Sequence, residues 1–279
     1  MVQRLNTAAS NVVLTPVPSR RLRPLLIGEC AVVVLLLVIY DRIRALAHVH
    51  RDAALSHGFA ILGLEHHVRL EVEPALNHWL TAHAFMGHVA VDYYQYLHVI
   101  IAMTMLIACY VLRPHAYRAA RNALLIINAV GLAAYALFPV APPRLLPGTS
   151  FVDTVARAGF GPQHSDVVSV NPYGAMPSLH VAWAVWVLLV GFAITDSVWL
   201  RCLFVAHPVI TAFVVMSTAN HYSLDVVMGL VLAVAAVGVA RPNRDAVRLL
   251  AFSARSTAEC DGAPDADALE LDQSGEARL

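Results

Sequence analysis

Six apolar runs, most of them closed by charge or proline, constrain this chain more than any other feature of its sequence. A spanning helix takes about 20 mostly apolar residues, and the runs fall at 24–40, 88–112, 122–138, 178–195, 198–217 and 224–240. Arg113-Pro114 closes the second, Pro139, Pro142 and Pro143 the third, and Arg241-Pro242 the sixth. With 58% of 279 residues apolar and only 14% charged, the chain has far more hydrophobic surface than a soluble domain can hide. The expected fold is all-α, a polytopic bundle of six transmembrane helices. Residues 45–87 mix leucine and alanine with seven histidines and scattered acids. That stretch reads as an interfacial helix between spans 1 and 2, anchored by Trp79 and Phe85.

The expected organisation is a cytoplasmic segment at 1–23, a membrane domain at 24–240 and a disordered acidic cytoplasmic tail at 241–279. Asp41, Arg42 and Arg44 follow the first run without a small-residue cleavage site, so it reads as an uncleaved span. Six spans return both termini to one side. With the N-terminus inside, thirteen arginines fall on inner segments and six on outer ones, although Arg42, Arg44 and Arg51 oppose that bias. There is no lysine at all. Schiff-base chemistry is thereby excluded, and a nucleic-acid binder would show a clustered basic face. Cys30, Cys109, Cys202 and Cys260 have no regular spacing, so neither a disulfide framework nor a zinc site follows.

Two short strings carry the chemistry: Ala175-Met176-Pro177-Ser178-Leu179-His180 at the start of the fourth span, and Asn220-His221-Tyr222-Ser223-Leu224-Asp225 between the fifth and sixth. In this topology both lie at the outer membrane surface, brought together by a pair of spans that goes in and returns. His221 and Asp225 are spaced i to i+4 and share a helix face. The carboxylate accepts a proton from one ring nitrogen, which leaves the other as nucleophile or base. His180 across a phosphate-sized gap then protonates the departing oxygen. A single histidine near a helix end is ordinarily structural. Three ionisable groups together argue for work, since an aspartate at a helix centre costs roughly 2.5–3.5 kcal/mol.

The strings PSLH and HYSLD resemble the second and third signature motifs of the type 2 phosphatidic acid phosphatase superfamily. The order FPVAPPR, YGAMPSLHVAWA, NHYSLDVVMG is similar to its inositol-phosphotransferase branch, which includes inositol phosphorylceramide synthases, over about residues 71–240. The resemblance implies a six-span bundle and a phosphohistidine intermediate without metal or cofactor. By position, His221 is the nucleophile, Asp225 its orienting partner and His180 the acid. The chain departs from the family where an arginine is expected six residues before the nucleophile, at Val215, and in having no first-motif lysine. Phosphate charge must then be balanced by Arg144, by Ser178 and backbone N–H groups at the start of the fourth span, or by an arginine from elsewhere.

His98 shares a face with Tyr94 and is a candidate for a headgroup pocket. Tyr222 and Asn220 flank the nucleophile; Tyr222 is a candidate substrate contact, and helix capping is the simpler account of Asn220. His66 and His67 are adjacent and make a poor metal pair. The expected activity is phosphoryl transfer from a lipid phosphate or phospholipid headgroup to inositol or another polyol, with water as the alternative acceptor. Its partners are the lipid substrate and the bilayer. The arginine- and alanine-rich, lysine-free composition points to a bacterial plasma membrane, with the site on the extracytoplasmic side. Two other classes compete. A non-catalytic lipid-binding protein would show no turnover, and a histidine-ligated haem protein would absorb visible light.

Overall fold

The computed structural model describes residues 24–45, 50–160 and 172–240. The expected N-terminal segment, the acidic tail and Cys260 lie outside the described residues. Among the described residues there is no strand, only one isolated parallel bridge between Val140 and Gly174. The helices are α1 (Leu26–Ala45), α2 (Arg51–Val68), α3 (Glu73–Thr81), α4 (Ala84–Asp92), α5 (His98–Leu112), α6 (Pro114–Leu137), α7 (Thr154–Arg157), α8 (Leu179–Ile194), α9 (Val198–Ser217) and α10 (Ser223–Ala240). A π-helical turn, Tyr93–Leu97, joins α4 to α5 without a break, and a 3₁₀ turn covers Pro143–Leu145.

Among the described residues, four helices are long and apolar enough to cross a membrane: Ala84–Leu112, Pro114–Leu137, Val198–Ser217 and Ser223–Ala240. Leu179–Ile194 is a shorter apolar helix. The chain is an integral membrane protein, all-helical because only a helix satisfies every backbone polar group within one segment in lipid. The second apolar run begins four residues before its expected start, since α4 opens at Ala84. α1 is 20 residues long and carries Glu29, Asp41, Arg42 and Arg44. Its Glu29 is held against α6 by the hydroxyl of Tyr117 at 2.8 Å and by Arg121.

Residues 45–87 do not form the one helix expected. They hold α2, α3 and the start of α4, because Arg69 takes a left-handed conformation (φ 58°) and its N–H caps the His66 carbonyl. Pro74, in the first turn of α3, restarts the helix.

The core is organised around α8, which packs against α5, α6, α9 and α10. Trp186 is fully buried on α8 and donates its indole N–H to the Ala120 carbonyl of α6 at 2.9 Å. The buried residues of α10 are Asp225, Gly229, Ala233 and Ala236. That stripe of small side chains on one face lets α10 approach α8 closely, the usual route to helix association where lipid supplies no hydrophobic drive. The single carboxylate on the stripe sits at its first turn, beside His221.

Candidate active site

The α9–α10 connection is built tightly. Ala219 takes a left-handed backbone (φ 54°), and the N–H groups of Asn220 and His221 both return to the Val215 carbonyl at 3.0 and 3.1 Å. A non-glycine residue there stores strain of roughly 1 kcal/mol. This fixes the direction in which His221 leaves α9. On the other side, residues 138–146 run beside 173–175: the Val140 N–H reaches Tyr173 at 2.9 Å, and the Ala175 N–H reaches Val140 at 3.3 Å. Ala175 is thereby held with its own carbonyl facing His221.

The consequence is a defined tautomer. Nδ1 of His221 lies 2.8 Å from the Ala175 carbonyl, which can only accept, so Nδ1 carries the proton. Oδ2 of Asp225 lies farther, at 3.4 Å from the same nitrogen. The carbonyl is therefore the closer orienting partner, and the carboxylate, the partner expected from sequence, is the second. Asp225 also accepts the Tyr222 N–H at 3.0 Å, and its Oδ1 has no hydrogen-bond partner among the described residues. Nε2 of His221 is left with a lone pair and lies 3.4 Å from Nδ1 of His180. The bond between them forms when His180 Nδ1 donates.

His180 projects from the first turn of α8, whose N-cap is Ser178. The Ser178 hydroxyl accepts the Val181 N–H at 3.4 Å, and its backbone N–H reaches the Asp225 carbonyl at 3.1 Å. One short segment thus ties the start of α8, which bears His180, to the start of α10, just after His221. The His180 ring stacks on Tyr94 at 4.4 Å between centroids and lies 4.2 Å from His98. Both neighbours come from the π-helical turn and the residue after it. An extra residue in the turn rotates α5 relative to α4, a device common at functional sites. Tyr94 entered the sequence reading only as a face-mate of His98; a π turn leaves no periodicity to detect.

Arg144 is nearly buried. Its Nε donates to Asn220 Oδ1 at 2.8 Å and its Nη1 to Asp153 Oδ2 at 2.9 Å, while its backbone N–H reaches Ala219 at 3.0 Å. Asn220 does not cap α10, the simpler account of it from sequence. It holds Arg144, and its amide donates to Thr218 Oγ1 at 2.8 Å. Tyr222 is fully buried, and its hydroxyl is given to the Ala141 carbonyl at 2.8 Å. It faces α2, where a Cβ on Gly58 would lie 2.9 Å from that hydroxyl, so the structure does not bring it to the histidine pair.

Two buried acids were missed by sequence reading. Glu65 of α2 accepts the Leu224 N–H at 2.7 Å, and Glu73 of α3 accepts the Ser223 hydroxyl. No motif marks them, because they meet α10 across about 150 residues of chain: 150 for the Glu73 contact and 159 for the Glu65 contact.

An α-helical membrane bundle with two imidazoles in contact, one of them with a fixed free lone pair, defines a class: membrane proteins with a paired-histidine site at the start of two neighbouring helices. The family profile of the PAP2 superfamily matches residues 59–239, and the chain belongs to that superfamily. The crystal structure of Aquifex aeolicus LpxE is similar at a TM-score of 0.43 and 15% identity, over 61% of this chain and 93% of that one. No curated protein matches the chain.

Proposed function

We propose that this protein is a membrane phosphotransferase of the inositol-phosphotransferase-like branch, acting on a lipid phosphate or phospholipid headgroup. In this reading it is a six-span bundle, with α1 and α8 completing the set, and its site faces the extracytoplasmic side. The observation that carries the chemistry is the Ala175 carbonyl 2.8 Å from His221 Nδ1, which leaves Nε2 as the only ring nitrogen able to attack. The Nε2 lone pair forms a bond to phosphorus while the bond from phosphorus to the leaving oxygen breaks, and His180 supplies that oxygen with a proton. In the second half, His180 takes a proton from the acceptor hydroxyl. The new P–O bond then forms as the P–N bond breaks, which restores both rings. No step requires a metal ion.

A phosphorus atom has no room between nitrogens 3.4 Å apart, so one ring turns aside as substrate binds. His180 is taken as the ring that turns, because its ring contacts are a stack on Tyr94 and a tilted approach to His98, whereas His221 is tied to the Ala175 carbonyl at 2.8 Å. His98 thus supports His180, and it borders the space a headgroup would take. Ser178 contributes the capped N-terminus of α8, where N–H groups and the helix dipole favour an anion.

Arg144 is proposed as the phosphate ligand. It has five N–H donors, and the two bonds above leave others free to meet an anion. Arg144→Ala is expected to lower kcat/KM by roughly 30- to 300-fold, the scale of losing one charged donor to a transition state. Arg144→Lys recovers only part of this, because an ammonium cannot keep the fork to Asn220 and Asp153. Initial rates against substrate concentration check it; a loss below about threefold removes Arg144 from the site.

The deciding experiment incubates purified protein with a panel of lipid phosphates and phospholipids, with and without inositol and other polyols. New phosphodiester formed only with polyol supports transfer. Free phosphate in both arms supports the second reading, a lipid phosphatase with water as acceptor, for which membership of the superfamily speaks. Absence of turnover across the panel returns the chain to the lipid-binding class.

A further inference from the structure

Beneath the histidine pair, the first turn of α10 is gripped by acids from three directions. Asp225, on α10 itself, accepts the Tyr222 N–H at 3.0 Å. Glu65 reaches from α2 to the Leu224 N–H at 2.7 Å, and Glu73 reaches from α3 to the Ser223 hydroxyl. All three side chains are fully buried. Each also keeps one oxygen without a hydrogen-bond partner among the described residues: Glu65 Oε2, Glu73 Oε2 and Asp225 Oδ1. A buried carboxylate with half its acceptors unused is costly unless a structural task requires it.

The task is visible in what the acids hold. N–H groups at a helix start have no intrahelical partner; a carboxyl oxygen satisfies them whether or not the group is ionised, and the ionised form also opposes the positive end of the helix dipole. α10 has no serine, threonine or asparagine side chain doing so; Asn220 is committed to Arg144 and Thr218. Residues 222–225 follow His221 directly. Any tilt or slip of this turn moves Nε2 of His221 relative to His180, whose own position is set by α8.

We propose that Glu65 and Glu73 are positioning residues: helices α2 and α3 use them to hold the first turn of α10, and through it the His221–Asp225 pair, in register with His180. The clamp is also proton-dependent. Burial, then the neighbouring charges of Glu73, Asp225 and Glu71, push the Glu65 carboxyl up to about 8, against the pull of the Leu224 amide. Burial likewise raises Glu73, opposed by the Ser223 hydroxyl. The charged groups acting on Glu65, Glu73 from α3, Asp225 from α10 and Glu71 from the α2–α3 turn, are all acidic, and Tyr222 is the phenol that shares their field. Glu65 is therefore neutral at pH 7, and its ionisation on the alkaline side drives the acids apart at the turn they share.

The sign of the pH effect follows from proton counting. Between the ordinary carboxyl value of 4.5 and about 8, the folded protein holds a proton on Glu65 that the unfolded chain has lost. Stability therefore falls as pH rises through that window and levels off above it. Glu65→Gln keeps an oxygen for the Leu224 N–H but carries no titrating proton.

The test uses the full chain in nanodiscs and compares wild type, Glu65→Gln and Glu65→Ala from pH 5 to pH 9, by thermal unfolding and by turnover. The wild type is expected to lose more Tm than Glu65→Gln across pH 5–8, and to show an alkaline fall in kcat that Glu65→Gln lacks. Glu65→Ala is expected to lose about tenfold or more in kcat with KM little changed, and Glu65→Gln to restore most of it. Parallel Tm curves for wild type and Glu65→Gln, or full kcat in Glu65→Ala, overturn the proposal. If Glu65→Ala does not fold, the comparison of wild type with Glu65→Gln still decides. Unfolding is read without turnover, so a failed clamp is distinguishable from a failed assignment of the reaction.

Discussion

His221→Asn is expected to fold as the wild type does and to retain less than about a thousandth of its turnover, the usual scale for removing a nucleophile. Asparagine is the sharper substitution because its amide N–H₂ can occupy the place of Nδ1 and keep the bond to the Ala175 carbonyl. What it removes is Nε2 alone. His221→Ala loses both nitrogens and serves as the harsher comparison, and in a buried site it also leaves a cavity. His180→Ala should be less damaging than either, since a general acid contributes roughly 10²–10⁴-fold. It should also recover more with substrates whose leaving group needs no proton. With radiolabelled substrate, wild type and His180→Ala are expected to trap phosphate on His221 as an acid-labile adduct, and His221→Asn to trap none. Label on any other residue, or turnover in His221→Asn above about a hundredth of wild type, rules out Nε2 as the nucleophile.

The membrane class was legible because hydropathy over 20 residues is a long, redundant signal that no single contact can overturn. The catalytic candidates were legible for a different reason. His221 and Asp225 are four residues apart, a spacing local enough to pair them although His221 lies in the bend just before α10 rather than on the helix with Asp225. His180 could be joined to them only by assuming that two helices lead in and out between the strings, and the structure puts its Nδ1 within 3.4 Å of His221.

The rest of the site depends on contacts that leave no local trace. Ala175 matters through its backbone carbonyl, which every residue possesses, so nothing in its side chain announces the role. Glu65 and Glu73 look like ordinary acids on polar helices; only folding shows that they are buried against α10. The single interfacial helix expected over 45–87 failed at Arg69, because a left-handed residue that is neither glycine nor asparagine gives no stop signal in sequence. Asn220 was misread for the opposite reason. Its type and position fit a cap, but the Arg144 guanidinium competes for the same oxygen and takes it.

Gly229→Ala is the structural counterpart of the nucleophile test, and its expected effect is out of proportion to one methyl group. In an isolated helix, alanine is favoured over glycine by about 1 kcal/mol. On α10, a Cβ at position 229 would lie 2.4 Å from the Ser178 carbonyl oxygen, with Val181 Cβ at 3.3 Å and the Ala182 nitrogen at 3.4 Å. The first of these is backbone at the N-cap of α8 and cannot rotate away. α8 and α10 must therefore separate where Ser178 meets Gly229, two residues before His180 on α8 and one turn after Asp225 on α10. Overpacking of this kind costs about 1–3 kcal/mol, enough to reverse the helix-propensity gain. A displacement near 1 Å between catalytic groups can cost about 100-fold in rate. The expected result is a lower Tm and a drop in kcat of that order, with Gly229→Leu worse on both counts. Gly238→Ala, on the same helix with nothing within 4 Å of its Cβ, is the control and should be neutral or slightly stabilising. If Gly229→Ala behaves like the control in Tm and kcat, α8 and α10 do not meet as closely as this geometry requires, and the contact between the two imidazoles loses its support.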